Sequence, residues 1–211
     1  MAILKRYAKV SALLAAAVAV VALPSPASAQ GGVQLVPWVG AYIPTRNEFS
    51  DLDNAVFDRD ISVIGGARLT FWGTGRLGFE ATGGYAPARI GDETINETGN
   101  TDLLLANARL LFALSPITNS VGFYLAGGPA LLVRGTNPFD DDRSGTDFGA
   151  NVGIGLRFAL GESGRTAIRF DLEDYLYDGD FGTGLSSFQN DIVASLGLSI
   201  ALGGNADSND P

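Results

Sequence analysis

Eight charged side chains stand out because each lies within an apolar, alternating stretch: Arg68, Glu80, Arg109, Arg157, Arg169, Asp171, Glu173 and Asp191. Four guanidinium groups meet four carboxylates, and in a confined space they must pair, because an unpaired buried charge costs several kcal/mol. Two kinds of chemistry suit such a set. Fixed ion pairs would fill and stiffen an interior, whereas pairs that exchange partners would line a narrow, gated ion path. Arg68 and Glu80 flank a short turn and are the leading candidate pair. Arg157 and Arg169 flank another, with Asp171, Glu173 and Asp191 within reach. Acid–base catalysis fits less well. Asp171 and Glu173 share a face, as a carboxylate dyad would, but arginines in the same space keep both ionised. With His 0 and Cys 0, imidazole bases, histidine triads and thiolate metal sites are impossible. No catalytic residue is expected, and the chain is read as non-enzymatic.

A second constellation is Asp140-Asp141-Asp142-Arg143-Ser144-Gly145. Acids at alternate positions before a glycine resemble the opening of a calcium loop, with Asp140, Asp142 and Ser144 as oxygen donors. Asn151, not glutamate, occupies the twelfth position. A charged, solvated loop is the plainer reading of these acids, with weak divalent-cation binding the alternative, and no resident cofactor is expected.

The elements that position the charges follow from a period of two. In Asn190 to Leu202, Ile192, Ala194, Leu196, Leu198, Ile200 and Leu202 point one way, and Asp191, Val193, Ser195, Gly197, Ser199 and Ala201 the other. An apolar outer face over a small or polar inner one is the pattern of a barrel wall in lipid. Seven more segments alternate in this way: Val33 to Ile43, Ile61 to Trp72, Arg76 to Pro87, Leu103 to Leu114, Val121 to Arg134, Thr146 to Leu160 and Thr166 to Tyr177. Short connections (Gly73 to Gly75, Ser115 to Asn119, Gly161 to Gly164) alternate with long polar ones (Pro44 to Asp60, Ala88 to Asp102, Gly135 to Gly145, Asp178 to Phe188). All long connections therefore fall at one end. The fold expected is all-β: an eight-stranded antiparallel up-and-down transmembrane β-barrel. Its outward parity collects Leu69, Phe71, Phe79, Tyr85, Phe112, Phe123, Leu131, Phe148, Phe158 and Phe170. Asn107 and Asn151 join the eight charges inside. Asp174 falls on the outward parity, either beyond the hydrocarbon or at a bulge within Leu172 to Tyr175. Trp38 and Trp72 take the inward parity, where a rim position would suit them.

Residues 1–29 read as a secretory signal: Lys5, Arg6 and Lys9, then an uncharged run from Val10 to Leu23, then Ala27-Ser28-Ala29. Residues 30–202 form the barrel, and 203–211 a short disordered periplasmic tail. Beyond the signal the chain carries 11 arginines, no lysine and 23 acidic residues, which argues against nucleic acid as a partner.

Pro37-Trp38-Val39-Gly40-Ala41-Tyr42, Tyr124-Leu125-Ala126-Gly127-Gly128 and the Ser195 to Leu202 pattern together resemble the small eight-stranded outer-membrane barrels: the OmpA transmembrane domain, OmpX and the opacity-like surface proteins. Ser195, Gly197, Ile200 and Leu202 resemble their C-terminal insertion signal. The resemblance implies a Gram-negative outer membrane, lipid and lipopolysaccharide as surroundings, the barrel-assembly machinery during insertion, and a monomer. It also implies periplasmic termini and extracellular long loops. The roles it suggests are envelope stabilisation or surface presentation, a narrow low-conductance pore, or an adhesin acting through acidic loops.

Overall fold

The structure is a computed structural model. It describes residues 32–45, 57–59, 61–73, 75–92, 97–117, 119–135, 145–161, 164–180 and 186–202. Among the described residues are nine strands: β1 (Val33–Pro44), β2 (Phe57–Arg59), β3 (Ser62–Trp72), β4 (Leu77–Asp92), β5 (Glu97–Ala113), β6 (Val121–Arg134), β7 (Thr146–Leu160), β8 (Thr166–Asp180) and β9 (Ser186–Leu202). β2 is a three-residue addition on β4. The other eight pair antiparallel with their neighbours, and β1 closes on β9. Closure leaves no open edge to the wall, so every wall strand has a hydrogen-bonded neighbour on both sides.

The side-chain alternation expected from the sequence holds around the wall. Phe79, Tyr85, Phe112, Phe123, Phe148 and Phe170 are exposed, while all eight alternating charges are buried. Phe71, Phe79, Phe112, Phe123 and Phe158 lie on strand ends next to the short turns and form an aromatic girdle there, with Phe71 and Phe79 directly paired. Towards the opposite end of β8 and β9, polar contacts interrupt the apolar outer face. Asn190 donates to Asp174 at 3.3 Å, and Thr45 donates to Asn190 Oδ1 at 2.7 Å. Asp174 keeps unbroken register with both Val152 and Ile192, so no bulge turns it.

Three connections differ from expectation, the first being Pro44 to Asp60, in which Phe57–Arg59 pairs with Ile90 to Asp92. Ala88 to Asp102 pairs as a hairpin, Ala88 opposite Thr101 through to Asp92 opposite Glu97, with only residues 93–96 between the strands. β8 and β9 likewise continue to Asp180 and from Ser186, so Phe188 lies in a strand. A polar hairpin lacks the apolar alternation by which a wall strand is recognised, so its sequence reads as loop. Residues 1–29 and 203–211, the expected signal and tail, lie outside the described residues.

A buried arginine–carboxylate cluster in the barrel lumen

Strand β8 carries the spine of the site. Its inward positions from Arg169 to Tyr177 run Arg169, Asp171, Glu173, Tyr175 and Tyr177, all buried. Alternation makes this ladder, since every second side chain enters the lumen. Three adjacent strands supply the facing partners: Arg68 from β3, Glu80 from β4 and Arg109 from β5.

Glu80 receives Arg109 Nη2 and Arg169 Nη1, each at 2.7 Å, and the Thr70 hydroxyl. Asp171 receives Arg169 Nη2 at 3.0 Å, Arg68 Nη1 at 3.3 Å and the Tyr124 hydroxyl. Glu173 receives Arg68 Nη2 at 2.5 Å, Arg109 Nη1 at 3.1 Å and the Tyr175 hydroxyl at 2.7 Å. Three guanidinium groups and three carboxylates thus form one neutral cluster that joins β3, β4 and β5 to β8. The six side chains are 0–2% exposed. Such a set is tolerable in a dry interior only because nearly every charged atom is shared among partners.

The Arg68–Glu80 pair is present but is the longest contact, at 3.8 Å. Their strands pair Arg68 with Thr82 and Glu80 with Thr70, which sets the two carriers one step apart, and each finds closer partners elsewhere. Arg157 and Asp191 are not part of the cluster. Arg157 pairs in register with Arg169, a like charge, and lies near the end of β7. It donates to the turn carbonyls of Ile117 at 3.0 Å and Gly164 at 2.8 Å. Asp191 lies nearer the opposite end and accepts from the hydroxyls of Tyr42 and Tyr177, the latter at 2.5 Å. Arg134 donates to Tyr177 at 2.6 Å and pairs with Asp147.

Aromatic layers bound the cluster along the barrel axis. On the short-turn side, Trp72 packs edge-on against Tyr124 with ring centroids 6.1 Å apart, beside Leu111 and Ala113. On the other side, Trp38, Ile64, Leu105, Leu132 and Tyr175 belong to one apolar layer. The guanidinium groups face these rings, Arg68 over Trp38 at 4.6 Å and Arg169 over Tyr124 at 5.0 Å. Both tryptophans are therefore buried on the lumen side, Trp38 beside the cluster and Trp72 at the short-turn end as the last residue of β3. Small residues make room for them: a Cβ on Gly84 would stand 2.8 Å from Trp38. The tyrosines were not expected as site residues, although Tyr175 and Tyr177 simply continue the alternation of Arg169, Asp171 and Glu173.

Ser195 of the expected insertion pattern turns inward and receives Arg68 Nη2 at 2.8 Å, while Ile200 and Leu202 face outward. Gly197 sits against Val36. Asp140, Asp142 and Ser144 lie outside the described residues, and among the described residues no group of side chains has the makings of a metal site.

Residues 12–204 match the family described as the outer membrane protein beta-barrel domain. The chain belongs to this family. Its apolar outer wall is accordingly the lipid-facing surface of an integral outer-membrane barrel. Among solved structures, the crystal structure of Neisserial surface protein A is similar with a TM-score of 0.57, at 12% identity over 81% of this chain and 99% of that one. The outer membrane protein AlkL in lipid bilayers gives a TM-score of 0.52 at 14% identity, over 89% and 97% of the two chains. The outer membrane enzyme PagL gives 0.46 at 17% identity, over 80% and 99%. At these identities the likeness is one of fold. No curated protein matches the chain.

Proposed function

We propose that this family member is a non-enzymatic envelope protein, structural or surface-presenting in role, with its lumen plugged by the arginine–carboxylate cluster. The observation that carries this reading is the burial of three arginines and three acidic side chains in one mutually paired set spanning the lumen. An eight-stranded barrel has room for side chains but not for a wide channel. Opening a path through this one would separate several charge pairs together. Histidine and cysteine, absent from the chain, would have been the readiest groups for catalysis. Reconstituted into a planar bilayer, the protein is expected to give no steady ion conductance, and to sediment as a monomer in the detergent used for reconstitution. Stable conductance steps would replace the plug with a low-conductance pore. That second reading has its own support, because carboxylates shared between guanidinium groups can exchange partners over short distances.

The short turns and both ends of the described wall lie at one end of the barrel, which we assign to the periplasm, as in other barrels with short periplasmic turns. The other end then meets lipopolysaccharide. Its acidic connections would need divalent cations to lie beside phosphate groups, with Asp140, Asp142 and Ser144 the proposed donors. Ser195, Gly197, Ile200 and Leu202 would be read by the assembly machinery before insertion. Protease added to intact cells is expected to cut within residues 45–61 or 135–145 and to spare an epitope after Leu202. Loss of the epitope with those segments intact would invert the orientation.

A further inference from the structure

Four buried polar atoms on one patch of the lumen wall lack a hydrogen-bond partner among the described residues: Trp38 Nε1, Arg68 Nε, Thr82 Oγ1 and Asn107 Oδ1. Their residues are at least nine-tenths buried. Strand register brings them together. Arg68 pairs with Thr82, and Thr82 with Asn107, across three adjacent strands. Trp38 reaches the same patch from β1, with the Arg68 guanidinium 4.6 Å above its ring and its Cζ2 edge against Gly84, two residues from Thr82. Buried groups left unsatisfied in this way are costly, and native interiors pair them with protein or ordered water.

The set has a definite polarity. Trp38 Nε1 and Arg68 Nε can only donate, and the one carboxylate beside Arg68 Nε, Glu80 Oε1 at 3.8 Å, is beyond hydrogen-bond length. Asn107 Oδ1 can only accept, and its orientation is fixed. The Tyr175 hydroxyl donates to Glu173, so Asn107 must offer Tyr175 its Nδ2, at 2.6 Å. Thr82 supplies a hydroxyl that accepts. Two donors and two acceptors on one patch match in number and polarity the tetrahedral valence of a single water molecule.

We infer that this patch is a binding site for one internal water, which accepts from Trp38 and Arg68 and donates to Asn107 and Thr82. The water closes a ring of hydrogen bonds. From Arg68 the ring runs to Glu173 at 2.5 Å, from Glu173 to Tyr175 at 2.7 Å and from Tyr175 to Asn107 at 2.6 Å. It then returns through the water to Arg68 Nε. The site thereby couples the orientation of Arg68 in the ionic cluster to Asn107 and the apolar layer beyond it. This holds whether or not the lumen conducts, since a bound water differs from channel water in its residence time.

The chain has two tryptophans, so labelling indole nitrogen with ¹⁵N gives two N–H signals in the refolded protein, and Trp38→Phe assigns them. The Trp38 signal is expected to show a direct cross-relaxation peak to water, with the sign of a molecule that tumbles with the protein. Asn107→Leu, which removes the acceptor and fills the space, is expected to abolish that peak. A Trp38 indole in the native protein with no water peak, or with the sign of bulk water, overturns the site even if the variant does not fold. A folded Asn107→Leu protein that keeps the peak overturns it as well.

Discussion

Replacing Arg169 by methionine is expected to destabilise the folded barrel by about 3–5 kcal/mol, the usual cost of removing one partner from a desolvated set of charges. Methionine retains much of the apolar stem but none of the donors. Glu80, Asp171, Thr70 and Tyr124 all lose a contact, and the cluster is left with three carboxylates and two guanidinium groups. Urea titration of refolding into lipid vesicles, followed by tryptophan fluorescence, measures the change. Arg76, exposed beside the first short turn and 3.5 Å from the Leu114 carbonyl, is the control. Arg76→Ala should cost no more than about 1 kcal/mol. Adding Glu80→Gln to Arg169→Met restores equal numbers of positive and negative groups. The pair should therefore be less destabilised than the sum of the single substitutions, with a coupling of about 0.5–3 kcal/mol. Equal and small losses for Arg169→Met and Arg76→Ala would mean that these charges are solvated.

The second large effect concerns a residue with no side chain. Gly155 lies opposite Tyr124 in the β6–β7 register, and a Cβ there would overlap the phenol ring itself. The ring has little freedom to move. Its hydroxyl donates to Asp171 and receives Arg169 Nη2 at 2.6 Å, while Trp72 packs on it edge-on. Overpacking commonly costs about 1–3 kcal/mol, and here the ring cannot shift without also breaking the Asp171 contact. Gly155→Ala is expected at the top of that range or above it, visible as loss of the heat-shifted folded band on gels. Tyr124→Leu in the Gly155→Ala background should recover part of the folded fraction, because the smaller side chain vacates the space. If Gly155→Ala refolds like the native protein, Tyr124 is not packed against β7.

The wall of this barrel was legible in the sequence because lipid imposes a strict alternation on every strand that crosses it. Ile192 to Leu202 on one face and Asp191 to Ala201 on the other allow one reading of side-chain direction, and the same pattern upstream yields the number and order of wall strands. The burial of Arg68, Glu80, Arg109, Arg169, Asp171 and Glu173 follows from the same parity. Where the chain leaves the lipid, the constraint lapses. The hairpin from Ala88 to Asp102 therefore reads as loop although its backbone is paired.

Which charges meet was decided only by the closed tertiary structure. Parity tells which face a side chain takes, but the stagger between strands and the closure of β1 on β9 determine its height and the partner it finds across the lumen. Arg68 accordingly turns to Glu173 and Asp171 on a distant strand, with Glu80 on its own hairpin the more remote contact. Arg157 has the right parity, yet its place beside Arg169 and near the end of β7 directs it to turn carbonyls, and Asp191 is taken by two tyrosines for the same reason of height. Alternation alone specifies a lipid-facing wall with charges inside. The pairing, the aromatic layers that bound it and the need for glycine at position 155 arise from distances across the lumen, which no local pattern encodes.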